Sequence, residues 1–133
     1  MAIESFFHIA IKVDDPEESA AFYQNHLAAE IIEQKLIEPD GTDEVATAVV
    51  LQVADKRVYL FDQPPYEAAG LVDSLQTGFL HFGFVVDDID EAFEQLRAAN
   101  VDIMMEPMVS GSIKIGFFYG PGGVRMEFIE KLE

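Results

Sequence analysis

The sequence predicts an α+β fold: two βαβββ modules forming a cupped, mixed β-sheet with helices on its outer face. Three observations carry this reading. A block of ten residues recurs at a constant offset of 73 positions. Each copy runs through an Asp-Asp pair into a helical stretch. After each helix come three strand-like runs, separated by residues that favour turns.

The repeated block is Phe6-Phe7-His8-Ile9-Ala10-Ile11-Lys12-Val13-Asp14-Asp15, matched by Phe79-Leu80-His81-Phe82-Gly83-Phe84-Val85-Val86-Asp87-Asp88. Each copy alternates as a strand does. His8 is expected to share a face with Phe6, Ala10 and Lys12, and His81 with Phe79, Gly83 and Val85. The alternate sets, Phe7-Ile9-Ile11-Val13 and Leu80-Phe82-Phe84-Val86, are wholly apolar and suit the side packed under helices. Asp15 and Asp88 then stand as N-caps for helices over Pro16–Leu27 and Ile89–Ala99, followed by acidic residues that match the positive end of the helix dipole. Pro16 fits the first helical position, where its missing N–H costs nothing, and Phe93, Leu96 and Ala99 define a buried stripe. The strand-like runs are Glu30–Ile37, Ala46–Ala54 and Arg57–Asp62 in the first half, and Val101–Met108, Ser112–Tyr119 and Val124–Glu130 in the second. Pro39-Asp40-Gly41, Asp55-Lys56, Ser110-Gly111 and Gly120-Pro121-Gly122-Gly123 supply the turns. One domain spans 1–133, with module 1 about 1–62, a linker about 63–78 that opens on Pro64-Pro65 and holds a short helix within Tyr66–Leu75, and module 2 about 79–133.

Composition limits the function. Half the residues are hydrophobic, enough for a packed core and too many for a disordered chain. With 25 Asp plus Glu against 8 Lys plus Arg, the net charge of −17 repels phosphate backbones and anionic lipid, which excludes nucleic-acid and membrane partners. The same charge keeps a protein soluble, or suits one working in high salt. No apolar run is long enough to cross a membrane and the start, MAIESFF, is not basic, so the expected location is cytoplasmic. The absence of cysteine removes disulfides, thiolate chemistry and cysteine-bound zinc.

Three residues stand out for chemistry. A single strand histidine is more often structural than a ligand, but His8 and His81 ride the same face of the same repeated element beside the small residues Ala10 and Gly83. Glu127 sits among apolar strand neighbours, where a carboxylate is costly to desolvate without a cation or donor. Two imidazoles and one carboxylate suit one divalent ion, Fe, Mn, Ni, Zn or Co, with coordination positions left for water or substrate. His26, without a repeat partner, reads as a residue at the negative end of its helix. Met104, Met105 and Met108 read as adaptable packing.

FFHIAIKVDDPEESAAFY, FLHFGFVVDDIDEAFEQLRAANV and GPGGVRMEFIE resemble the vicinal oxygen chelate superfamily, which holds glyoxalase I, methylmalonyl-CoA epimerase, extradiol dioxygenases, fosfomycin-modifying enzymes and bleomycin-sequestering proteins. The resemblance covers essentially the whole chain and implies His8, His81 and Glu127 as metal ligands, a small substrate chelated through adjacent oxygens, and a homodimer. It also implies a fourth ligand, Glu or Gln, at a position that falls here on Tyr59 or Leu60; Asp62 reaches it only if the strand shifts. Without that carboxylate, lactoylglutathione lyase activity is expected to be weak. The dioxygenases' tyrosine falls on Phe117, and Tyr119, two residues on, is the candidate catalytic residue. Fosfomycin chemistry needs a basic pocket, for which only Lys12 and Lys114 are at hand, and Ala10 replaces a hydroxyl-bearing residue. The expected function is therefore a metal-dependent enzyme of glyoxalase-like lyase or isomerase, or dioxygenase, chemistry. The alternative is a non-catalytic binding protein of the bleomycin-resistance kind, against which the intact ligand set argues.

Overall fold

The computed structural model describes residues 1–37 and 46–132. These form an α+β chain of mixed β-sheet in the order β1 (Ile3–Lys12), α1 (Pro16–Leu27), β2 (Glu30–Ile37), β3 (Ala46–Val53), β4 (Lys56–Phe61), α2 (Pro65–Ala68), β5 (Gly78–Val86), α3 (Ile89–Ala98), β6 (Ile103–Ser110), β7 (Ile113–Tyr119), a 3-10 turn (Pro121–Gly123) and β8 (Arg125–Lys131). The βαβββ order expected of each half is present in both. The Pro39-Asp40-Gly41 turn lies outside the described residues. Two compact units result, one of His8–Leu80 and one of Met1–Phe7 with His81–Glu133, so β1 and β5 are each divided just before their histidine.

In the His8–Leu80 unit the strands run β2-β3-β4-β1, antiparallel except for the parallel β4/β1 pair. Asp15 starts α1 as expected: its carboxylate accepts the Glu17 and Glu18 N–H groups at 3.0 and 3.1 Å, and Pro16 occupies the first turn. The helix stops where Ala28 turns left-handed, at φ 53°. Ala20 of α1 packs on Val49, Leu51, Val58 and Leu60, with Ile11 of β1 and the following Val13 on the same side. A second cluster, Ala10, Ala48, Phe61 and Leu80 with Tyr59 and Leu75, fills the opposite side. Leu80 therefore does not lie under a helix as the alternation predicted.

In the other unit the order is β5-β8-β7-β6, with β5/β8 parallel and the remaining pairs antiparallel. Asp88 caps α3 by accepting the Glu91 N–H at 3.0 Å, and Ile89, Ala92 and Phe93 pack on Val86, Phe118 and Phe128. Gly116 admits this packing: a Cβ there would stand 2.5 Å from Phe93 Cζ, so the ring rests on bare backbone. Phe6 also differs from expectation. Its ring meets Phe82 edge-on and lies tilted against Phe84 of the α3 side (centroids 5.4 and 4.8 Å), while Phe7 lies under the Lys131 ammonium.

Most strand ends shift by a residue or two, and two of the boundary shifts have clear local reasons. The helix expected within Tyr66–Leu75 is only Pro65–Ala68, because Gly70 turns left-handed at φ 77° and the Leu75 N–H is taken by the Glu67 carboxylate at 2.9 Å. The strand expected at Val101 begins at Ile103, because the Val101 N–H still donates to the Leu96 carbonyl as α3 closes. Pro107 is tolerated in β6 because this strand is the edge of its unit's order.

Candidate functional site

In the unit holding β5 and β8, strand register makes the pairing of His81 with Glu127. Gly83 lies opposite Glu127, and His81 precedes Gly83 by two residues and so shares its face. His81 is 1 % exposed and Glu127 6 %, and Nε2 of one stands 3.4 Å from Oε1 of the other. That separation is long for a charge-assisted hydrogen bond. It does fit two ligands of one ion, because atoms each about 2.0–2.2 Å from a common metal at right to tetrahedral angles lie roughly 2.9–3.5 Å apart. The floor beneath is apolar. Phe117 lies opposite Glu127 on β7 and turns its ring edge-on to His81, centroids 5.1 Å apart, with Ile115, Ile129 and Val85 buried on the same strand faces. A carboxylate sunk among such residues is stable only with strong compensation, which a cation supplies.

His8, in the other unit, is 3 % exposed and lies opposite Arg57 in the β1/β4 register. The Tyr59 ring is tilted over it, centroids 4.4 Å apart at 36°. Ala10 pairs with Tyr59 just as its repeat equivalent Gly83 pairs with Glu127. Tyr59 thus takes the place in module 1 that the carboxylate takes in module 2. Of the two positions open for a fourth ligand, Leu60 is fully buried against α1, leaving Tyr59. Asp62 is engaged elsewhere: its carboxylate accepts the Thr47 N–H at 2.8 Å and the Thr47 hydroxyl at 2.9 Å.

Tyr119 is half-buried at the end of β7, opposite Arg125 and two residues from Phe117 on the same strand face, about 7 Å away along the strand. Met105 lies opposite Phe117 and Met108 opposite Ile115, so both thioethers project from that face. His26 is an exposed residue in the last turn of α1, stacked on Phe22 at 4.8 Å. Lys114 was expected on the same face as the ligands. It instead pairs with Asp90 of α3 at 2.8 Å, because it falls on the alternate residues of β7 with Gly116 and Phe118. Lys12 does share the His8 face, but its ammonium is bound by both oxygens of Glu67 (2.8 and 3.0 Å) and by the Leu75 carbonyl (2.7 Å). Burial pushes the Glu67 carboxyl up, yet the Lys12 ammonium and the Leu75 N–H outweigh it and hold the group below the usual glutamate value. A cavity of about 770 Å³ lined by Leu96, Val101, Phe118 and Met126 opens on the α3 side, away from the faces of His81 and Glu127.

Sequence reasoning missed Glu67, whose carboxylate binds the Lys12 ammonium. Nothing local in the sequence marks Glu67 as the partner of Lys12, 55 residues away.

Comparison with known proteins adds four findings. A family profile described as Glyoxalase/Bleomycin resistance protein/Dioxygenase superfamily matches residues 5–128. A lactoylglutathione lyase of Neisseria meningitidis is 28 % identical over 130 residues, covering 93 % of this chain and 88 % of that protein. An uncharacterised Bacillus subtilis protein, YwkD, is 27 % identical over 98 % of this chain and 100 % of its own. Among solved structures, methylmalonyl-CoA epimerase from Mycobacterium tuberculosis superposes with a TM-score of 0.74 at 23 % identity, covering 100 % of this chain and 94 % of that one, which establishes the shared fold.

Proposed function

As the chain belongs to the glyoxalase/bleomycin resistance protein/dioxygenase superfamily, we propose that it is an enzyme that holds one divalent ion through His8, His81 and Glu127. Its substrate is a small molecule that chelates through two adjacent oxygens. The observation that carries this is the buried His81–Glu127 pair, with donor atoms 3.4 Å apart. His8 completes the set as the repeat counterpart of His81, buried on its own first strand and offering one imidazole nitrogen. A bound Fe, Mn, Ni, Zn or Co ion supplies Lewis-acid polarisation of the substrate oxygens. Phe117, Ile115, Ile129 and Val85 exclude water from Glu127 and strengthen its electrostatic hold on a cation. Tyr119 is the group assigned to hold or pass a proton at its phenolic oxygen.

The lactoylglutathione lyase relative favours lyase or isomerase chemistry over dioxygenation. Tyr59 in the fourth-ligand place then separates this chain from an ordinary glyoxalase. The chain is further proposed to work as a cytoplasmic homodimer. Among the described residues no helix is long and apolar enough to cross a membrane. Ile3, Met108 and Val109 leave apolar surface that a second copy would cover.

The test is turnover. The protein is loaded with each of the five ions in turn and offered 2-oxoaldehydes with glutathione, 2-hydroxy and 2-oxo acids, and catechols with dioxygen. The enzyme reading expects ion-dependent conversion of one class, abolished in Glu127→Gln. Tight ligand binding without conversion under any ion would replace it with a sequestering function.

A further inference from the structure

Each candidate ligand imidazole touches an aromatic ring of its own unit, and we infer that Tyr59 and Phe117 are positioning residues that hold His8 and His81 in the orientation an ion requires. This deepens the metal-centre reading above and rests on it. In the His8–Leu80 unit the Tyr59 ring is tilted 36° to the His8 imidazole, with centroids 4.4 Å apart. In the other unit Phe117 meets His81 edge-on at 80°, with centroids 5.1 Å apart. Both separations lie near the close end of the range over which aromatic rings attract, about 4.5–7 Å. Both histidines are buried, so the contacts are made out of water.

An imidazole offers its lone pair in the plane of the ring, so turning about the bond to Cβ carries the nitrogen off an ion. Groups packed beside a ligand histidine fix that angle, and losing one typically costs about ten- to a hundredfold in metal affinity. The histidines' own strands supply little support, because the next residue on the same face is Ala10 in β1 and Gly83 in β5. The brace comes from other strands of the same unit. Tyr59 on β4 is the register partner of Ala10, and Phe117 on β7 is the register partner of Glu127, which pairs with Gly83. Phe117 has no hydroxyl, so the ring is the part that the two braces share. Tyr59 then serves His8 by the face of its ring, and its phenolic oxygen is not required as a fourth ligand. The Lys35 ammonium stands over the same ring, 5.4 Å from its centroid, and helps to fix it.

The experiment loads the full chain with cobalt(II). Chelator competition reads the affinity, and the visible absorption of the bound ion reads the arrangement of its ligands. Tyr59→Leu removes the ring and adds no donor, and is expected to weaken binding by roughly tenfold and to change the spectrum. Tyr59→Phe loses only the hydroxyl and is expected to match wild type in both readouts. Phe117→Leu is expected to repeat the Tyr59→Leu result through His81. Where a leucine chain does not fold, as urea denaturation shows, methionine at the same position fills the space without a ring and takes its place. Tyr59→Glu cannot replace this comparison, because it supplies a donor oxygen as it removes the ring. A Tyr59→Phe chain as weak as Tyr59→Leu overturns the inference, since the hydroxyl would then be the working group. So does wild-type affinity in a folded Tyr59→Leu or Phe117→Leu chain. A wild-type chain that takes up no cobalt defeats the metal-centre reading and this inference with it, and that failure is visible before any variant is compared.

Discussion

Tyr59 lies over His8 with ring centroids 4.4 Å apart, and its register partner is Ala10, whereas Glu127 faces the equivalent Gly83. Two halves of one repeat thus carry a phenol and a carboxylate at the same structural address. Replacing the phenol makes the halves chemically alike. Tyr59→Glu is expected to tighten divalent-ion binding by about tenfold or more, the usual scale of a change in or next to a ligand shell. It should also raise formation of lactoylglutathione from methylglyoxal and glutathione above a weak wild-type rate. Chelator competition and a coupled spectrophotometric assay measure the two effects. Unchanged metal affinity would show that the position does not face the ion.

The Lys12–Glu67 pair predicts how stability depends on pH. Glu67 is held below its ordinary value in the fold, so its contribution is complete above the unfolded carboxyl pKa, about 4.3. It is lost as pH falls from there through the lower folded value. Urea denaturation followed from neutral pH downward should show wild type losing stability in that window and a Lys12→Met, Glu67→Leu double variant losing less. Lys12→Met alone, which strands a carboxylate only 8 % exposed, is expected to cost up to about 3 kcal/mol. A single variant as stable as wild type would contradict the pairing.

Gly116 sets the depth at which α3 seats. Gly116→Ala drives a methyl to within 2.5 Å of Phe93 Cζ and 3.2 Å of the Met105 carbonyl, so both the ring and β6 must give way. Overpacking of this kind costs about 1–3 kcal/mol, and thermal unfolding should register it. Phe93→Leu in the Gly116→Ala background should recover part of the loss, and a further drop instead would mean that the clash falls elsewhere.

How much of this was legible beforehand differs between the fold and the site. Asp15, Pro16 and Asp88 are local signals, and the helices start where those residues put them. The inward placement of His81 and Glu127 was also legible, because one belongs to the repeat and the other is a carboxylate in an apolar strand. Which side a residue faces was less secure. Phe6 and Leu80 sit on the flank that strict alternation denied them, next to the points where β1 and β5 pass from one unit to the other. Lys114 was misplaced because its strand was read without the pairing that joins Gly116 and Phe118 to α3. Glu67 acquires meaning only from Lys12, its partner 55 residues away along the chain. Long-range register of that sort is not written in local periodicity.

The central claim is tested most directly by metal content. The full chain would be purified without a histidine tag and under exclusion of oxygen, with His8→Ala, His81→Ala and Glu127→Ala alongside, and each would be assayed by elemental analysis. The account predicts one divalent ion per wild-type chain and a strong loss in all three variants, with the fold retained. Full metal content in His81→Ala, or no metal in wild type even after reconstitution, would contradict it.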